Sequence, residues 1–247
     1  MLVGNKHFIY ANIKRQKHPC SWRNWGIGSQ TAKLLANSGA KLFLAGRDSA
    51  KLQAIAASCN VPSERFFALD LSQPSSINEL KGAYFQRFTS IDILINAAGI
   101  GIIKPMDTLG EADFLQTLNA NLVAPFLLMK AFLPAMKEAK KGLVINIPGV
   151  LGKVPMAGAA AYSASKYGLV GMMQSIREEL KRTDIRITNL FLGGVDSPFW
   201  DTIDLKVQRE KMLQAEEAAK AIWFLCQQPN SGVVSEMVLQ PFNHQAI

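Results

Sequence analysis

The sequence predicts one three-layer α/β/α domain built on a doubly wound parallel sheet, and three observations carry that expectation. From residue 29 onward, short apolar or β-branched runs alternate with amphipathic stretches, the pattern of buried parallel strands and their covering helices. Gly26-Ile27-Gly28 stands directly before the first amphipathic stretch, where a Rossmann-type fold places its glycine-rich entry to a helix. The 247 residues, 49% of them hydrophobic, suffice for one sizeable core.

Six strands are legible in order, at residues 40–45, 65–69, 91–96, 142–147, 186–191 and 233–239. Each is rich in Val, Ile, Leu, Phe or Ala and is bounded by polar or glycine-containing turns. The helical candidates between them are residues 29–38, 49–58, 74–88, 111–138, 159–182 and 215–227. Gly39 and Gly142 mark helix stops, and Asp48 is placed to cap the second helix. A seventh strand should precede residue 26. His7-Phe8-Ile9-Tyr10-Ala11 could form it, but some 15 residues then separate it from Gly26 where a tight turn is needed. The alternative, residues 16–20, contains Pro19, which removes a ladder donor. The organisation expected is an atypical segment over residues 1–25, holding a degraded first strand and turn, followed by the domain proper over 26–247.

Composition narrows the functional classes. The net charge is +8, but Lys6, Lys14, Arg15, Lys17 and Arg23 supply +5 of it within residues 1–25, which hold no acid. The remaining chain carries only +3 and no basic stripe with interleaved aromatics, so nucleic acid is not an expected partner. No stretch of about 18 uninterrupted apolar residues occurs, and no membrane association is expected. Cys20, Cys59 and Cys226 are odd in number and widely spaced, lacking metal-ligand spacing. That usage suits a reducing, cytoplasmic setting and predicts no metal site.

The chemistry is concentrated in Tyr162-Ser163-Ala164-Ser165-Lys166. Tyr162 and Lys166 are four apart on a helical segment and therefore project from one face about one turn apart. An ammonium close to a phenol is expected to lower the phenol pKa, making Tyr162 a usable general acid or base. A Tyr and a Lys at this spacing can also be two unrelated helix-face residues, and the surrounding motifs decide between these readings. Residues 92–99 (Asp-Ile-Leu-Ile-Asn-Ala-Ala-Gly) end a strand, Asn121 follows on the next helix, and Gly-Gly-Val-Asp-Ser-Pro at 193–198 follows the strand after Tyr162.

In order and spacing, these motifs closely resemble the short-chain dehydrogenase/reductase family over residues 26–247. The resemblance implies an NADP(H)-dependent oxidoreductase that interconverts an alcohol and a ketone or aldehyde, working as a homodimer or homotetramer. It assigns Tyr162 as proton donor to the substrate carbonyl, Lys166 as modulator of that phenol and ligand of the nicotinamide ribose, and Asn121 as support for a water-linked proton relay. Gly26, Ile27 and Gly28 match the pyrophosphate turn, and Asp70 the residue that meets the adenine. Asn96, Ala98 and Gly99 match the segment beside the cofactor, with Ala97 in place of a second asparagine. Val195 and Ser197 match further cofactor contacts. At the end of the second strand, Gly46 stands where an NAD-selective fold carries an acid and Arg47 follows it. That pair favours the 2′-phosphate of NADP(H).

Two departures qualify the expectation of activity. The family places a substrate-binding serine thirteen residues before the tyrosine; here the position is Gly149, preceded by Pro148. Losing one such donor costs on the order of 100- to 1000-fold in rate, and restoring serine at 149 is expected to raise activity. The first glycine of the pyrophosphate turn is replaced by Trp22. Shifting the reading frame by one base through residues 16–25 can yield Lys-Asn-Ile-Leu-Val-His-Gly-Ala-Thr-Gly, which restores both a strand and the turn. A catalytically impaired scaffold, or the product of a damaged gene, is therefore the competing expectation.

Overall fold

The computed structural model describes residues 7–12, 26–229 and 231–243. Strand β1 is His7–Asn12, so the first of the two candidate segments forms the opening strand; residues 16–20 lie outside the described residues. Next come helix α1 (Ile27–Asn37), strand β2 (Lys41–Gly46), helix α2 (Ser49–Ser58), strand β3 (Phe66–Ala68), helix α3 (Pro74–Phe85) and strand β4 (Ile93–Asn96). Helix α4 (Glu111–Leu118) continues through a π-helical segment, Asn119–Val123, into helix α5 (Ala124–Glu138). Strand β5 (Gly142–Asn146), helix α6 (Ala160–Glu179) and strand β6 (Ile185–Leu192) follow. The chain closes with short strands β7 (Val195–Asp196) and β8 (Leu213–Gln214), helix α7 (Ala215–Leu225) and strand β9 (Glu236–Leu239).

Seven strands form one sheet in the order β3-β2-β1-β4-β5-β6-β9, all neighbours parallel, and β7 and β8 pair separately. β1 lies inside the sheet: His7 pairs with Lys41 of β2 on one side, and Phe8 with Ile93 of β4 on the other. The strand order reverses between β1 and β4. In an open parallel sheet, that reversal opens a crevice beyond the carboxyl ends of the strands.

Alternation along the strands divides the core into two faces. Phe43, Ala45, Leu94, Val144 and Ile187 pack against α3, α5 and α6, around Tyr84 and Phe132. Leu42, Leu44, Ile93, Ile95, Leu143 and Ile145 pack against α1, α2 and α7. Tyr84 is fully buried, meets Phe43 and Phe132 edge-on at centroid distances of 5.2 and 5.5 Å, and donates its hydroxyl to the Ser90 carbonyl at 2.9 Å. Its polar tip is thus satisfied inside an apolar layer. The continuous helix Glu111–Glu138 is long and apolar enough, by length and composition, to cross a membrane. Its Leu128, Met129, Phe132 and Met136 instead form part of the core face. Asp48 caps α2 as expected, its side chain accepting from the Lys51 amide at 3.0 Å.

Candidate active site

Beyond the carboxyl ends of β5 and β6 lies a cavity of about 640 Å³ lined by Tyr162, Gly149, Val150, Phe199 and Trp200, with Ile27 of α1 also in its wall. Helix α1 begins on Gly26, whose N-cap position has extended backbone, no side-chain cap and no acidic residue in the turn that follows. A Cβ built on Gly26 would meet no atom of the described residues within 4 Å. Among the described residues no side chain caps this helix start, and such a start is suited to a phosphate group.

Tyr162 and Lys166 share one face of α6, as their spacing requires. The Lys166 ammonium lies 5.4 Å from the Tyr162 ring centroid and donates to the Ile147 carbonyl at the end of β5, at 3.1 Å. Burial pulls Lys166, only 3% exposed, down to a pKa of about 8. Burial also pushes the Tyr162 phenol up, away from ionisation. This corrects the expectation that the lysine lowers the tyrosine: desolvation is the cause acting on each group, and it disfavours both charged forms. The phenol is held as a neutral acid, the form that can give a proton.

Asn121 is fully buried in the π-helical segment. Its Oδ1 accepts from the Ile100 amide at 2.8 Å, and its Nδ2 donates to the Ile100 carbonyl and the Ser165 hydroxyl, both at 3.0 Å. Both amide donors are therefore spent, which leaves the side chain one acceptor lone pair. The Asn121 side chain pins the loop after β4 to α6. Gly99 completes this cluster, since a Cβ there would come 3.1 Å from Asn121 Oδ1 and 3.4 Å from Lys166 Nζ. Ser165 returns its hydroxyl to the Tyr162 carbonyl at 2.7 Å, a helix-internal role.

The remaining expected residues fall into two groups. Arg47 is exposed just beyond β2, and its charge acts on Asp70 beyond β3. Burial raises the Asp70 carboxyl, but hydrogen bonds from the Ser72 amide and hydroxyl, together with Arg47, hold it below the ordinary carboxylate value. Val195 and Ser197 line the cavity, with the Val195 carbonyl accepting from the Trp200 indole at 3.0 Å and the Ser197 hydroxyl from the Phe199 amide at 3.4 Å. Asn96 and Ala98 are buried and do not line it. Asn96 donates to Asn146 Oδ1 at 2.8 Å, and Asn146 in turn to Asn189 Oδ1 at 3.4 Å, across the paired positions of β4, β5 and β6. Sequence reasoning missed this three-strand ladder. Asn at the last position of both β4 and β5 was the available signal.

Gly149 adopts φ 71° and ψ 171°, a region open essentially to glycine alone. Serine at this position would be strained, so Gly149→Ser would not simply restore the missing hydroxyl.

Residues 24–208 match the family model of the short chain dehydrogenases. An uncharacterized oxidoreductase of Staphylococcus epidermidis is 28% identical over 231 residues, covering 94% of this chain and 99% of its own. A metagenomic short-chain oxidoreductase solved in complex with NADP is 29% identical, with a TM-score of 0.77 and coverage of 97% of this chain and 98% of the other. An alcohol dehydrogenase from the archaeon Thermococcus sibiricus, complexed with 5-hydroxy-NADP, shares the fold at a TM-score of 0.84 and 24% identity, over 98% of this chain and 99% of the other.

Proposed function

The chain belongs to the short-chain dehydrogenase family, and on that premise we propose that it is an NADP(H)-dependent oxidoreductase interconverting an alcohol and a ketone or aldehyde. The observation that carries the proposal is the neutral, half-buried Tyr162 phenol beside the Lys166 ammonium, on the wall of an apolar cavity that Ile27 at the start of α1 also lines. The residues present fit a nicotinamide dinucleotide: the start of α1 on Gly26 suits its pyrophosphate, Lys166 its ribose, and Asp70 its adenine end. Arg47 supports the 2′-phosphate, because no acid ends β2 to bind free ribose hydroxyls.

When bound, the cofactor supplies a hydride to the carbonyl carbon and is itself oxidised. Tyr162 Oη gives its proton to the carbonyl oxygen as the C=O π bond becomes the O–H of the alcohol, and the reverse path returns that proton. Lys166, held on the Ile147 carbonyl, places positive charge beside the phenol as its proton leaves. Exposed Phe126 on α5 and Tyr167 on α6 support assembly as a homodimer or homotetramer through these helices.

One observation favours a second reading. The glycine-only backbone at 149 removes a donor to the carbonyl, as expected of a scaffold that keeps the nucleotide site but has lost turnover. Fluorescence titration with NADPH and NADH, followed by NADPH oxidation over a panel of aldehydes and ketones, separates the two. Tighter NADPH binding with turnover that disappears in Tyr162→Phe is expected. Binding without turnover of any carbonyl would establish the scaffold reading instead.

A further inference from the structure

Phe199 sits on the short 3-10 turn Pro198–Thr202 that follows β7, with its ring in the cavity wall. It meets the Tyr162 ring edge-on at a centroid distance of 5.8 Å and the Trp200 ring at 5.2 Å. Gly101, buried in the loop after β4, lies directly against it. A Cβ built on Gly101 would fall well inside contact with the Phe199 ring and 3.0 Å from Ile203 Cδ1. Gly101 is not among the glycines with positive φ, so space rather than backbone conformation is what glycine supplies here.

The turn is held in this place by one guanidinium. Arg209 donates from Nε to Asp196 Oδ1 at 2.6 Å, from Nη1 to Asp201 Oδ1 at 2.7 Å and from Nη2 to the Ser197 carbonyl at 3.0 Å. It therefore ties the entry and the middle of the loop to the 3-10 turn Arg209–Lys211 on its return side. The Trp200 indole adds a fourth tie, donating to the Val195 carbonyl. These charge-assisted bonds share one rigid donor fork, so they fix direction as well as distance.

We infer that Phe199 determines which carbonyl compounds the cavity admits, with Arg209 as the positioning residue that holds it; the inference rests on the oxidoreductase reading above. The ring occupies the space beside the phenol. Of the two groups on a carbonyl carbon presented to Tyr162, the one facing Phe199 must therefore be hydrogen or methyl. The other can extend along Val150, Val154, Met156, Leu205 and Met212, which leave room for a long apolar group. The substrate class is an aldehyde or methyl ketone bearing one extended apolar substituent.

The test compares benzylacetone, a methyl ketone, with dibenzyl ketone, which is bulky on both sides. Turnover is measured with NADPH, and the affinity of each ketone is measured separately by saturation-transfer NMR without turnover. Wild type is expected to favour benzylacetone in both measurements. Phe199→Ala should shift the dibenzyl-to-benzylacetone ratio upward by about ten- to a hundredfold, the range for steric discrimination in an apolar pocket. Arg209→Ala should raise KM for both ketones while kcat is retained, with Arg209→Lys recovering part of the loss. An unchanged ratio in a Phe199→Ala protein that melts like wild type overturns the inference, as does absence of any affinity of wild type for benzylacetone. If benzylacetone binds and the affinity ratio shifts but nothing turns over, the role of Phe199 stands and the oxidoreductase reading falls. If turnover is seen and neither ratio moves, the oxidoreductase reading stands and this inference falls.

Discussion

Tyr162 and Lys166 are set by burial more than by each other. If Tyr162 is the proton donor, Tyr162→Phe should lower kcat by at least about 100-fold, within the usual range for a general acid, with NADPH affinity retained. A variant with unchanged kcat would remove Tyr162 from the chemistry. Lys166 has a folded pKa of about 8 against an ordinary 10.5. Between those values the unfolded chain binds more protons than the folded one, so this group makes stability rise with pH from about 8 to 10.5. Its penalty is fully present below about 8. The raised Tyr162 phenol acts in the opposite sense, costing stability only above its ordinary value of 10. Lys166→Met should therefore flatten the rise in denaturation midpoint between about pH 8 and 10.5, and an unaltered slope would show that the ammonium is not desolvated. Gly149 gives a third prediction at this scale. With φ at 71°, Gly149→Ser should destabilise the fold by about 1–3 kcal/mol and leave turnover no higher than wild type, measured by denaturant melts and NADPH oxidation.

The elements show how each local choice places the site. Strands β4, β5 and β6 carry asparagines in register at 96, 146 and 189, and the middle one both accepts and donates. Asn146→Ala would leave the Asn96 amide and the Asn189 carbonyl oxygen buried without their partner. The expected cost is about 2–4 kcal/mol in a urea melt, since a buried orphan group carries its full desolvation penalty; a loss below about 0.5 kcal/mol would mean that the ladder is not a structural tie. The π-helical segment is a second local device. It was not legible from periodicity, because residues 111–138 keep an apolar face throughout and a single extra residue in the turn leaves that pattern almost intact. Its effect is to seat Asn121 against both Ile100 and Ser165. The short β7–β8 pair was equally invisible, being two residues on each side and dependent on a partner some 18 positions away.

At the scale of the molecule, β1 at His7–Asn12 completes a seven-stranded sheet and puts the strand-order reversal beside β4, which positions the site. The glycine turn that should connect β1 to α1 falls within residues 13–25, outside the described residues. The frame-shift reading makes a test there. Replacing Gln16–Trp25 with Lys-Asn-Ile-Leu-Val-His-Gly-Ala-Thr-Gly should tighten NADPH binding, seen by fluorescence titration, and the nucleotide sequence of this region should accommodate two compensating one-base changes. Unchanged affinity would show that the turn is not what limits binding.

What the sequence alone determined is whatever depends on spacing along the chain. The alternating strands and helices, the shared face of Tyr162 and Lys166, and the Asp48 cap all follow from periods of 2 and 3.6 residues, which a linear pattern records. The tertiary structure decided what depends on surroundings. Whether Lys166 lowers the tyrosine or both charged forms are disfavoured depends on how much water the fold removes from both. What the Asn121 side chain anchors depends on Ile100 and Ser165, 21 and 44 positions away. Whether Gly149 lacks only a side chain depends on its φ. Whether Phe199 closes the cavity depends on Gly101 across the loop. Dielectric environment and non-local packing have no period in the sequence, so these features emerge only when the chain is folded.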